Sequence, residues 1–134
     1  MGRVIDTSIF IADERGTFDL GHYLEASPDD ENVIATITAA ELLVGVHLAS
    51  TRKKPSRTEN VHSILAQFQP IAFNLLIAEV HAQFASKLQR AGKAVGTHDL
   101  IIAATAVSLD FEVLTLDRRS FPRIPGVRLA QISI

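Results

Sequence analysis

Four carboxylates are spaced so that alternating strands and helices could gather them: Asp6, Glu41, Asp99 and Asp117. Each has a local explanation. Asp6 suits the N-cap of a helix starting at Thr7 or Ser8. Thr38-Ala39-Ala40-Glu41 reads as a capping box. Asp99 follows Thr97, a candidate N-cap, and a first-turn acid is favoured by the helix dipole. Asp117 suits a turn, salt-bridged to a neighbouring arginine. The conjunction points further. Three of the acids follow a predicted strand within a few residues, and Asp99 opens an apolar helix. Carboxylates packed together repel and raise one another's pKa values. A divalent cation resolves that conflict. Oxygen-only ligands favour Mg²⁺ or Mn²⁺ over zinc. Such an ion activates water and stabilises charge on a phosphoryl oxygen.

Accessory candidates lie near these acids. Thr115 could orient a water or a phosphate, or serve as a plain strand threonine. Arg118, Arg119 and the basic stretch from Arg52 to Arg57 could contact phosphates, or form solvated loops. The five histidines make no H-E-x-x-H pattern, and His98, beside Asp99, could line the cleft but reads first as an exposed first-turn histidine. No phosphate-cradling glycine loop and no G-x-S-x-G elbow occur. Thr7-Ser8 after Asp6 excludes an Asp-x-Asp start.

The elements that must position the acids are readable from pattern. Short β-branched or apolar runs predict strands at Arg3 to Ile5, Asn32 to Thr36, Pro70 to Phe73, Glu112 to Thr115 and Val127 to Gln131. Helical patterns cover Ser8 to Asp13, Phe18 to Ala26, Thr38 to Ala49, Leu75 to Ala91 and His98 to Leu109. Leu76, Val80, Phe84 and Leu88 form one stripe, and Gly92 stands where a helix ends in positive φ. The helix after His98 is apolar on nearly every side, which predicts burial. Strands alternating with helices predict a three-layer α/β/α fold around a parallel sheet of about five strands. In such folds sites form beyond the carboxyl ends of the strands.

The bulk numbers set limits. At 134 residues and 47% hydrophobic, the chain suits one domain over residues 1–134. The breaks near Ser27 to Asp30 and Arg52 to Pro55 are too short for domain linkers. The absence of cysteine removes disulfides, thiolate zinc sites and cysteine nucleophiles. The short apolar run before and after Asp6 fits neither a signal peptide nor a membrane span, so a cytoplasmic protein without membrane contact is expected. A net charge of −2 is unlike a strongly basic nucleic-acid binder.

At Val4-Ile5-Asp6-Thr7-Ser8, Ile37 to Leu42, Gly96 to Ala106, and Leu114 to Asp117 with Phe121, the chain resembles PIN-domain ribonucleases. The likeness is specifically to VapC-type toxins of toxin–antitoxin pairs. Order and spacing match over almost the whole chain. The resemblance implies a Mg²⁺- or Mn²⁺-dependent endoribonuclease, a homodimer, and inhibition by a cognate VapB-like antitoxin. It assigns Asp6, Glu41 and Asp99 to the family's metal-binding acids and Asp117 to its variable fourth acid. Ser8 stands where the family often has Asn and can still hydrogen-bond a ligand or water. Asp117 also stands where Asn is common, which leaves its direct ligation open. Two other readings fit the residues: a catalytically idle PIN-like module that binds RNA or protein, and a metal-dependent phosphatase or DNA nuclease.

Overall fold

The structure is a computed structural model and describes residues 2–132. Four parallel strands form its sheet: β1 (Gly2–Ile5), β2 (Glu31–Ala35), β3 (Gln69–Ile71) and β4 (Glu112–Leu114), in the order β3-β2-β1-β4. Val4 pairs with Val33 on one side and Val113 on the other. The fifth expected strand, Val127 to Gln131, is reduced to a single parallel bridge between Leu129 and Val113. The parallel α/β class stands, and the sheet has four strands rather than about five.

Successive strand residues point to opposite faces, and both faces are buried. Val4, Val33 and Val113 pack with Ile77, Phe84, Ile102 and Phe121. Ile5, Ile34 and Leu114 pack with Ile9, Phe10, Leu42, Val61 and Ile64. This is why the strands read as continuous apolar runs rather than alternating ones. The first face is covered by α5 (Leu75–Arg90) and α6 (Thr97–Leu109). The second is covered by α1 (Thr7–Arg15), α2 (Leu20–Glu25), α3 (Thr36–Leu48) and α4 (Lys54–Gln67). The three layers follow.

Helix ends obey local chemistry. Asn74 accepts the Ile77 N–H at 2.9 Å and caps α5. Gly92, at φ +68, follows α5 as its position predicts. The nearly uniform apolarity of α6 is matched by complete burial of Ile102, Ala103, Ala104 and Ala106.

Helix α4 departs from the sequence reading, which placed a break and a basic loop at Arg52 to Arg57. Pro55 lies in the first turn of α4, where its missing N–H costs no helical bond. Only Val61 and Ile64 of α4 are buried, so its apolar signal is thin. No described helix is long and apolar enough to cross a membrane.

Candidate active site

The chain beyond the carboxyl ends of β1, β2 and β4 carries Asp6, Glu41 and Asp117, and the start of α6 supplies Asp99. Asp6 follows β1 directly, and its N–H extends the ladder to the Leu114 carbonyl at 2.9 Å. It occupies the N-cap position of α1 without a full side-chain capping hydrogen bond, although the Thr7 and Ser8 N–H groups face its carboxylate and oppose the rise in pKa that burial causes. Its Oδ2 instead accepts the Ser8 hydroxyl and the Thr115 hydroxyl, each at 2.7 Å. Only 5% of Asp6 is exposed. Burial pushes its carboxyl above the ordinary value, against the pull of the Thr115 and Ser8 hydroxyls.

Glu41 does not close the expected capping box. Helix α3 begins at Thr36, which carries Glu41 into the second turn and buries Thr38 completely. The Glu41 carboxylate takes the Thr7 hydroxyl on Oε1 at 2.7 Å and faces His98 Nδ1 from Oε2 at 3.2 Å. The Thr7 hydroxyl also lies 3.4 Å from Thr38 Oγ1. The His98 side chain is 53% exposed and also lines the site, so both readings of it hold.

Asp99 stands in the first turn of α6. The N-cap is Gly96, so Thr97 lies inside the helix and does not cap it. The Asp99 carboxyl is raised first by burial, next by the charge of Asp6, and further by the charges of Asp117 and Glu41. A hydrogen bond with Ser120 opposes them. Asp99 therefore lies within electrostatic reach of Asp6, Asp117 and Glu41. Among the described residues neither Asp6 nor Asp99 has an ion-pair partner.

Asp117 has the turn geometry expected of it. Its Oδ1 accepts the N–H groups of Arg119 and Ser120 at 2.8 and 3.0 Å. Burial pushes this carboxyl up, but the Ser120 and Arg119 hydrogen bonds outweigh it, and the result is a lowered pKa. Arg118 and Arg119 are exposed beside it. The Asp117 N–H donates to Thr115 Oγ1 at 2.9 Å, so Thr115 ties Asp6 to the Asp117 turn. Ser8 adds a second tie by accepting the Leu116 N–H at 3.1 Å.

Three contributors were not singled out by the sequence reading: Thr7, Thr38 and Ser120. Thr7 lies inside the motif that flagged Asp6. The spacing Asp117-x-x-Ser120 is a side-chain-to-backbone turn signal. Buried Thr38 lies inside the motif that flagged Glu41, where the sequence reads it as a helix cap rather than as a site residue.

The donor set is made of carboxylates: Asp99 feels the charges of the other three, and neither it nor Asp6 has an ion-pair partner among the described residues, which is the chemistry a hard divalent ion satisfies. The groups are not drawn into a closed cage: among the described residues no three His, Asp or Glu side chains meet around one point. Mutual repulsion and the separate tethers of Asp6, Glu41 and Asp117 account for this open arrangement.

Known proteins share this framework. The PIN domain profile matches residues 3–127. The chain is 31% identical over 135 residues to a ribonuclease VapC of Rickettsia bellii, covering 100% of this chain and 98% of that protein. It is 33% identical over 137 residues to ribonuclease VapC1 of Rickettsia felis, covering 99% and 98%. The solved VapBC-5 toxin–antitoxin structure from Mycobacterium tuberculosis aligns with a TM-score of 0.76 at 30% identity, over 96% and 98% of the two chains. VapBC2 from Rickettsia felis, bound to a promoter DNA fragment, aligns with a TM-score of 0.88 at 21% identity, over 99% and 100%, a likeness of fold. With the profile spanning nearly its full length and the motif acids gathered at one end of the sheet, the chain belongs to the PIN domain family.

Proposed function

We propose that this chain is a Mg²⁺- or Mn²⁺-dependent endoribonuclease, the toxin of a VapBC-type pair. One observation carries the reading: Asp99 feels the charges of Asp6, Asp117 and Glu41 at the carboxyl end of the sheet. Asp6 and Asp99 would hold the ion, with Glu41 direct or through water and Asp117 completing or tuning the shell. The ion would supply positive charge that acidifies water and stabilises the phosphoryl oxygen in the transition state. The chain's own part is positional. Thr115 and Ser8 fix Oδ2 of Asp6, Thr7 fixes Oε1 of Glu41, and the Arg119 and Ser120 N–H groups fix Asp117. A water held among the carboxylates is then aimed at a phosphodiester for in-line attack.

Partners follow from the relatives, whose solved forms are VapBC complexes. A VapB-like antitoxin and a second copy of this chain are the expected companions, and an RNA substrate implies a cytoplasmic setting. The test offers the purified chain RNA, DNA and a small phosphate ester, each with Mg²⁺, Mn²⁺ or chelator. The expected result is RNA cleavage that needs the metal and is lost in Asp6→Asn. Normal antitoxin binding with no cleavage of any RNA would favour an idle binding module. That second reading draws on the open spacing of the acids. Preference for DNA or the small ester would move the chain to another phosphoryl reaction.

A further inference from the structure

At the candidate site the two helical layers meet through side chains. His98 stands in the first turn of α6, which covers the first face of the sheet, and Glu41 in the second turn of α3, which covers the other. His98 Nδ1 lies 3.2 Å from Glu41 Oε2. The other carboxylate oxygen, Oε1, accepts the Thr7 hydroxyl at 2.7 Å. His98 Nε2 makes no hydrogen bond to a described residue, so the polar contact of the ring is with Glu41 alone among them. At this separation an unprotonated Nδ1 would set its lone pair against the carboxylate, whereas Nδ1–H can donate to it.

We propose that His98 is a positioning residue for the metal site: its Nδ1–H holds Oε2 of Glu41 while Thr7 holds Oε1, so that the carboxylate keeps one orientation toward the ion. The inference rests on the metal-dependent ribonuclease reading and adds to it the residue that orients Glu41. Successive residues of a helix point about 100° apart, so the first turn of α6 can send Asp99 into the acid cluster and His98 to Glu41. One helix start then supplies one acid and orients another. The Glu41 side chain is 33% exposed, which leaves an untethered carboxylate free to change rotamer. A ligand held in advance loses less freedom when the ion arrives. A neutral imidazole can make this bond without placing positive charge beside the ion, as a lysine or arginine there would.

Three measurements on the full-length chain test this. In chelator, at a pH where the ring is neutral, nitrogen NMR of His98 should show the proton on Nδ1, and Glu41→Ala should move it toward Nε2. A wild-type ring protonated on Nε2 would overturn the proposal. Mn²⁺ binding without RNA, followed by electron paramagnetic resonance, should weaken about tenfold in His98→Ala, the lower end for loss of an outer-shell partner. His98→Asn should restore most of that affinity, because its amide nitrogen reaches the place of Nδ1. His98→Gln, whose amide reaches the place of Nε2, should not. Unchanged Mn²⁺ affinity in a folded His98→Ala protein, or equal rescue by Asn and Gln, would overturn the proposal. In RNA cleavage at sub-saturating Mn²⁺, His98→Ala should lower kcat and leave KM for RNA unchanged. A raised KM with kcat and Mn²⁺ affinity intact would make His98 a substrate contact and overturn the positioning role. If the wild type cleaves no RNA while the Nδ1 proton and the order of Mn²⁺ affinities hold, the ribonuclease reading fails and the positioning role stands.

Discussion

Asp6 sets burial against charge. Its folded pKa lies above the ordinary carboxylate value because burial outweighs the hydroxyls of Thr115 and Ser8. The folded protein therefore binds this proton more tightly than the unfolded chain. Above the folded pKa the ionised group destabilises the metal-free protein, and below the unfolded pKa it does not. Asp6→Asn should consequently raise the urea midpoint in chelator at neutral pH, with the gain vanishing as pH falls below the ordinary carboxylate range. Equal midpoints at neutral pH would show that burial does not dominate. Cleavage should fall in the same variant by more than the ~10–100-fold that loss of an outer-shell partner costs. Thr115→Val, which removes a partner of Asp6, should fall within that range. Asp117 has the opposite sign. Its lowered carboxyl contributes stability above the unfolded pKa and loses it as pH falls through the folded one. An ion held as proposed by Asp6 and Asp99 would need both ionised, so thermal stabilisation by Mn²⁺ should fade as pH drops through their raised values. Stabilisation by Mn²⁺ that persists unchanged into acid would place the ion elsewhere.

At the scale of elements, α5 illustrates what a single cap contributes. Asn74 accepts the Ile77 N–H, and this helix packs Ile77, Phe84 and Leu88 against the sheet. Asn74→Ala should cost about 1 kcal/mol in denaturant unfolding while leaving RNA cleavage intact. A proportionate loss of activity would mean that α5 also shapes the site. Most of the α5 stripe and its terminal glycine were legible because period and cap agree locally, but Leu76 is 57% exposed and Ile77 takes the expected core position in its place. So were β1, β2 and β4, which are apolar and β-branched and have helical segments between them. Helix α4 was not legible, because Pro55 and the neighbouring charges imitate a loop and only tertiary contact fixes Val61 and Ile64. The extra strand at Val127 to Gln131 was over-read: its alternation satisfies the pattern, but pairing shrinks to one bridge at the edge beside β4. Asp6 and Asp117 were legible as residues that follow strands, Glu41 as an acid in the helix after β2, and Asp99 as the acid that opens α6. Their tethers were not, since Thr7 to Glu41 spans α1 and α3 and Thr115 to Asp6 spans β4 and β1.

At the scale of the whole molecule, the surface carries an apolar patch that neither core uses. Phe73, Leu75 and Leu76, at the entry to α5, are 51%, 76% and 57% exposed. Burial within this chain does not explain them, and clustered exposed apolar residues mark contact surfaces. A second copy is the occupant that fits the expected homodimer, because a two-fold contact lets the same residues meet themselves. Leu76→Glu would place two like charges in such a contact, and removing them from water is unfavourable. The variant should sediment as a monomer at concentrations where the wild type is dimeric. Its unfolding midpoint at high dilution should be unchanged, because an exposed leucine adds little to a single chain. A dimeric Leu76→Glu protein would move the contact to another face. A monomer that also fails to bind antitoxin would show that antitoxin binding depends on the paired toxin or on this same surface.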